Sequence, residues 1–268
     1  MTTVEPAVSE PIAYTVEDHV GIIRLNRPDV RNAIDDAMRE ALIAALDEVL
    51  ADSAVRSLVL TGNGSAFCAG GDIAAMRERL ESPIGQVAGN GWRRQRQTHT
   101  MALGLHDLVK ITVAAVNGPA IGVGMDLALG CDFIIAVDSA VFSMSHLQRG
   151  LIPDGGGMYY LPRRVGLVRA KELIFTGRRF GAAEALELGV VDRVVSSAEL
   201  ESAAVAWAGE LSQSSPTAVA LTKSILNRSY ELSPHELFAL GAEAQAICYT
   251  TEEHQTSIGS FLDRSKEG

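Results

Sequence analysis

The sequence predicts an α/β fold with mainly parallel strands, on three observations. Short β-branched runs recur along the chain, such as Ile111–Val116 with the sequence ITVAAV. Two of these runs lead into glycine-bearing turns: Gly62-Asn63-Gly64, and Asn117-Gly118-Pro119 with Gly122 and Gly124 beyond. An apolar helical segment follows each turn, one from Ile73 and one over 125–129. Strand, turn and helix in alternation, with no strict repeat, indicate a parallel sheet covered by helices.

Taken in order, residues 1–11 read as a mobile tail. Residues 14–17 and 20–25 make a hairpin around Asp18-His19, ended by Asn26-Arg27-Pro28. Ile34, Met38, Ala41, Leu42, Ala45, Leu46 and Val49 fall at helical spacing and mark an amphipathic helix. A strand over 55–60 leads to the first glycine turn. The polar, glycine-bearing stretch 77–92 reads as a mobile loop beside a binding cleft. A helix follows over 99–109, then the central strand and another over 131–137. Residues 170–175 read as helical, 181–188 as a short helix ended by Gly189, and 190–195 as a short strand. Beyond about residue 206 the strands stop, and 216–229, 234–249 and 252–264 read as three helices. Ser233 and Glu236 make a capping box, with Pro234 at the first helical position. The expected division is a core over 1–205 and a helical region over 206–268. Helices alone cannot bury their apolar faces, so that region needs a surface to pack on.

The 268 residues suffice for one large core, and 47% hydrophobic with 21% charged residues is ordinary globular composition. A formal net charge of -10 argues against a nucleic-acid partner. The first residues lack the basic and apolar regions of a signal peptide. No run approaches the ~18 uninterrupted apolar residues of a membrane span, so a cytoplasmic protein with no membrane partner is expected. Cys68, Cys131 and Cys248 cannot all pair and none stands in a CxxC, so reduced thiols are expected. The glycine turns fail the GxGxxG dinucleotide template, because Phe67 and Leu127 occupy its last position. Walker A, HExxH and GxSxG patterns are absent, and no metal site is expected.

The two turns have a chemical use of their own. A strand, a glycine turn and a helix start together present backbone N–H groups to a negatively charged atom. Two such turns can aim two donors at one oxygen, which makes an oxyanion hole.

The segments AFCAGGDIAAM and AAVNGPAIGVGMDLALGCD, with LNRPDVRNAI before them and GLIPDGGGMYYLPRRVG after, resemble the crotonase superfamily of enoyl-CoA hydratases and isomerases. The resemblance runs from about Tyr14 to the C-terminus. It implies a spiral of ββα turns with a C-terminal helical oligomerisation region, assembled as a homotrimer or dimer of trimers. It implies an acyl-CoA thioester substrate, with no cofactor beyond the coenzyme A that the substrate carries. By the same resemblance the oxyanion donors are the N–H groups of Ala69 and Val123, valine standing where glycine is common. Arg27, Arg31, Gly70, Gly71, Asp72, Gly122, Lys223 and Phe261 are implied along the acyl-CoA, with Asp72 also fixing the first turn or capping its helix.

The acid–base residues depart from the hydratase pattern. Hydratases use two glutamates to position and shuttle a water, and Asp126 and His146 stand at those places. Aspartate keeps the carboxylate but withdraws it by ~1.5 Å, one C–C bond. Histidine can do acid–base work near neutral pH. Asp154, in GLIPDGGG, stands where hydratases tend to have glycine, and this loop resembles the branch that shifts double bonds. One carboxylate suits that reaction: it takes a proton from C2 of a 3-enoyl thioester and returns it at C4. The expectation is therefore an enoyl-CoA isomerase. The alternatives are a hydratase using Asp126 and His146, or a catalytically weak acyl-CoA-binding homologue. A dehalogenase-like branch uses an aspartate in this loop to attack an aryl-CoA carbon, with an upstream histidine activating water. His99 lies in about the right helix for that, whereas His146 replaces the tryptophan of that branch.

Overall fold

Strands β1 (Ile12–Glu17) and β2 (Val20–Leu25) pair antiparallel through the expected Asp18-His19 turn, whose φ values are 44° and 67°. The structure is a computed structural model and describes residues 10–264, so most of the expected N-terminal tail lies outside the described residues. A 3-10 turn, Pro28–Val30, leads to α1 (Asp36–Ala51), which Asp35 opens by accepting the Met38 N–H at 2.8 Å. Met38, Leu42, Leu46 and Val49 form its buried stripe, as their spacing requires. Next come β3 (Ser57–Gly62), α2 (Ile73–Leu80), α3 (Ile84–His106) and β4 (Ile111–Val116). β5 (Ala120–Ile121), α4 (Val123–Gly130), β6 (Phe133–Val137) and β7 (Val141–Ser143) complete the next part. A second 3-10 turn, Ser145–Arg149, precedes α5 (Gly157–Val165), α6 (Leu167–Thr176), β8 (Phe180–Gly181), α7 (Ala182–Leu188) and β9 (Arg193–Val195). The chain ends on α8 (Leu200–Leu211), α9 (Pro216–Leu226), α10 (Pro234–Cys248) and α11 (Glu252–Arg264).

The main sheet runs β1-β2-β3-β4-β6-β9 and is parallel apart from the first pair. β3 is buried along its whole length and β4 from its second residue, because helices cover both faces. A small sheet, β5-β7-β8, stands beside it. β4 is followed by β5, and β6 by β7, before the chain turns helical. This pairing of a long and a short strand is the ββα turn that the resemblance implies.

The expected loop over 77–92 is helical instead, formed by the end of α2 and the first half of α3. Buried residues at helical spacing begin only at Thr98, followed by Met101, Ala102 and Leu105, where α3 packs against α1 and α4. Upstream the helix is exposed, so its composition carries no apolar stripe. Gly85 and Gly89 have nothing within 4 Å of a would-be side chain. The helix expected over 99–109 is the last part of α3. Strands expected over 131–137 and 190–195 start later, at Phe133 and Arg193.

β5, β7, β8, α5 and α8 were not legible in the sequence. α8 runs across residue 205 and lies on β3, β4 and β6. Its Trp207 ring sits 5.1 Å from that of Phe133, so α8 packs on the core across the expected boundary at 205/206. α9 is tied down by Lys223, whose buried ammonium donates to the Asp132 carboxylate at 2.7 Å and the Lys110 carbonyl at 2.9 Å. α10 has no buried residue and exposes Phe238 and Ile247. Among the described residues no helix is long and apolar enough to cross a membrane.

Candidate active site

The two glycine turns meet back to back. Cys68 donates its N–H to the Pro119 carbonyl at 3.1 Å, and Ile121 donates to the Cys68 carbonyl at 2.9 Å. This approach needs glycine. A side chain at Gly124 would lie 2.3 Å from the Cys68 carbonyl oxygen, and one at Gly70 (φ 103°) 2.9 Å from that of Ile121. Cys68 is sealed between them, and burial pushes its thiol up to about 12, so it stays protonated.

A third segment clamps the first turn. The buried Asn32 side chain donates to the carbonyls of Asn63 and Ala66, at 2.9 and 2.8 Å, and accepts the Arg27 N–H at 2.9 Å. It lies within the LNRPDVRNAI segment, but only the fold shows what it binds. Arg27 is held as well: its guanidinium reaches Asp35 and Asp72 at 3.0 Å each, and the Ala33 carbonyl at 2.6 Å. Asp72 caps α2 by accepting from Ala74 and Ala75, the role expected of it. Burial works to raise the Asp72 pKa, but the Ala75 and Ala74 N–H groups and Arg27 outweigh it and hold the carboxyl low. Arg31 adopts a left-handed conformation, φ 53°, with its side chain exposed.

Counting backbone donors corrects one expectation. The Ala69 N–H is engaged by the Arg31 carbonyl at 2.9 Å, so it has no hydrogen left for a substrate oxygen. Ile34 bridges the next residues, donating to the Gly70 carbonyl at 2.8 Å and accepting from Asp72 at 3.0 Å. That leaves the Gly71 N–H without a partner among the described residues. Val123 begins α4 after Gly122 (φ 56°), and its N–H likewise has none. The available donors are therefore Gly71 and Val123, the second at a helix N-terminus where the dipole favours negative charge.

One turn into α4, Asp126 is 1% exposed and faces inward. Its oxygens lie where side chains at Gly155 and Gly157 would stand, 2.6 and 2.4 Å from those positions. His146, in the 3-10 turn, brings Nε2 to 3.3 Å from Asp126 Oδ2, and its own Nδ1 is buried without a partner. Burial raises the Asp126 pKa, the Asp154 charge adds to the rise, and His146 opposes it.

The native Asp126 carboxyl thus keeps a proton at pH values where the unfolded one has lost it. Stability then falls as pH rises from the ordinary carboxylate range through the raised native value. Asp126→Asn keeps the shape and removes that charge. It is expected to raise the thermal midpoint at neutral pH, by about 2–4 °C for each kcal/mol relieved. Thermal unfolding of both proteins from about pH 4 to 8 checks this, and parallel pH profiles would refute it.

Asp154 lies in the loop before α5. Helix capping does not explain it, since Gly156 is the N-cap of α5 and no side chain caps there. Its Oδ2 lies 3.5 Å from His99 Nε2 on α3. The structure thus gathers the two turns, Asp126, His146, Asp154 and His99 around α4. It turns Lys223 toward Asp132 instead, and leaves Phe261 exposed on α11. Among the described residues no group of three or more His, Cys, Asp or Glu converges as a metal site would.

The family described as enoyl-CoA hydratase/isomerase matches residues 15–268. The short-chain-enoyl-CoA hydratase of Clostridium acetobutylicum is 34% identical, over 93% of this chain and 94% of that protein. The crystal structure of an enoyl-CoA hydratase/isomerase from Cupriavidus metallidurans superposes with a TM-score of 0.88 at 38% identity, covering 95% of this chain and 94% of that one. An enoyl-CoA hydratase from Bacillus anthracis gives a TM-score of 0.87 at 33% identity, covering 95% and 96%.

Proposed function

The chain belongs to the enoyl-CoA hydratase/isomerase family, and within it we propose that it moves the double bond of a 3-enoyl-CoA into conjugation with the thioester. The observation that carries this reading is Asp154, a mostly covered acid whose charge acts on Asp126 of α4, with no helix to cap and only His99 in ion-pair range among the described residues. Asp154 takes a proton from C2 of the acyl chain. Negative charge builds on the thioester oxygen, where the Gly71 and Val123 N–H groups stabilise the dienolate. Asp154 then delivers a proton to C4. The side chains left exposed on α10 and α11, Phe238, Ile247, Ile258 and Phe261, support assembly as a homotrimer or dimer of trimers.

Hydration is the second reading, favoured by the hydratase named in Clostridium acetobutylicum and by the Asp126–His146 pair at the two glutamate positions. The packing of that pair weighs against it. At 3.3 Å the two groups touch, leaving no room for a water between them, and glycine backbone covers the Asp126 carboxylate. The test follows the absorbance of the conjugated thioester with a 3-enoyl-CoA and, separately, a 2-enoyl-CoA. Conjugation gained from the 3-enoyl substrate supports the isomerase. Loss of absorbance from the 2-enoyl substrate, as 3-hydroxyacyl-CoA accumulates, overturns it in favour of the hydratase. No change with either substrate favours a binding homologue.

A further inference from the structure

We propose that His99 links Asp154 to solvent, so that the proton removed from C2 exchanges with water before one is returned at C4. The inference rests on the isomerase reading and adds the route and origin of the returned proton. Among the described residues His99 alone puts a basic group within ion-pair distance of Asp154, with Nε2 at 3.5 Å from Oδ2. The Asp154 charge acts on Asp126, but the close neighbour of Asp126 is His146.

Exposure gives the link a direction. The His99 side chain is 49% exposed, whereas that of Asp154 is 22% exposed. One end of the pair thus stands in water, and the other is mostly covered and near enough to α4 for its charge to act on Asp126. His99 is also fixed in place, because Thr98, Met101, Ala102 and Leu105 anchor the same stretch of α3. An acyl-CoA in the cleft would cover Asp154 from the substrate side and leave the imidazole as its outlet. Catalytic hydrogen bonds that are long in the empty site commonly tighten when substrate binds.

The proton balance is simple. C2–H breaks, and its proton forms the O–H of Asp154. The carboxyl passes that proton to neutral His99 at Nε2, giving an imidazolium and a carboxylate. The exposed imidazolium trades its N–H protons with water, then gives one back to the carboxylate, which delivers it to C4. Imidazole suits both directions because a ring nitrogen accepts a proton when the ring is neutral and donates one when it is charged. A carboxylate without this neighbour would return the proton it had taken.

The test is isomerisation of a 3-enoyl-CoA in D2O, with deuterium at C4 of the early product measured by mass spectrometry. Wild type is expected to place about one deuterium per product, the result of exchange faster than return. In His99→Gln and His99→Phe, conjugated product should still form but carry severalfold less deuterium. His99→Gly should regain label when imidazole is added. A merely structural role for His99 could change kcat, but not this partition. Equal labelling in wild type and variants overturns the proposal, as does a wild-type product that keeps the substrate proton. Absence of both conjugated product and label from wild type overturns the isomerase reading, and the relay falls with it.

Discussion

Asp154→Ala is expected to lower kcat for conjugation of a 3-enoyl-CoA by about 10²–10⁴-fold, the usual contribution of a positioned acid–base group. The acyl-CoA dissociation constant should change little, because the thioester oxygen is held by backbone donors that the substitution leaves in place. Stability should stay within about 0.5 kcal/mol, since the side chain caps no helix and its one ion-pair contact among the described residues is the 3.5 Å approach to a half-exposed His99. Asp154→Asn sharpens the experiment by keeping the shape and removing only the proton acceptor. If both variants retain wild-type kcat while binding and folding are intact, Asp154 is not the shuttle. Asp126→Asn is then the variant to assay, with hydration of a 2-enoyl-CoA as the readout.

The chemistry was legible where local sequence sets local backbone. Asp72 was expected to fix its turn or cap its helix because it directly precedes the apolar start of α2, and it does cap it. The run Ile111–Val116 with its glycines specified strand, turn and helix, since a buried parallel strand needs apolar side chains on both faces. What stayed hidden depends on partners distant in sequence. Lys223 is expected along the acyl-CoA, and only the fold shows its ammonium packed on Asp132, 91 positions away. No local signal marks Asn32, on whose amide the carbonyls of residues 63 and 66 converge. The choice between Ala69 and Gly71 is of the same kind. Both amides belong to one glycine-rich turn, and only the course of residues 31–34 alongside it decides which N–H remains available. The first half of α3 was missed for a different reason. A helix exposed along that stretch needs no apolar stripe, so its pattern matches that of a polar loop.

Val123→Pro is expected to lower kcat by about 10²–10³-fold, the loss typical of one oxyanion donor, without unfolding the protein. Backbone donors are usually out of reach of mutagenesis, but this one stands at a position that accepts proline. Val123 is the first residue of α4, where proline's fixed φ fits and no intrahelical bond needs its N–H. The preceding residue, whose Cβ would normally collide with the proline ring, is Gly122. The amide has no partner among the described residues, so removing it breaks no hydrogen bond of the fold. Val123 is also partly buried against the core, and Val123→Ala separates that packing from the donor because it keeps the N–H. The alanine variant should stay close to wild type in kcat, whereas the proline variant should fall by the full factor at a similar thermal midpoint. Equal activities in the two would place the thioester oxygen elsewhere and leave Gly71 without its proposed partner. A kcat loss confined to proline would show that the charge formed on the substrate is met by the backbone at the start of α4, where strand, glycine turn and helix join.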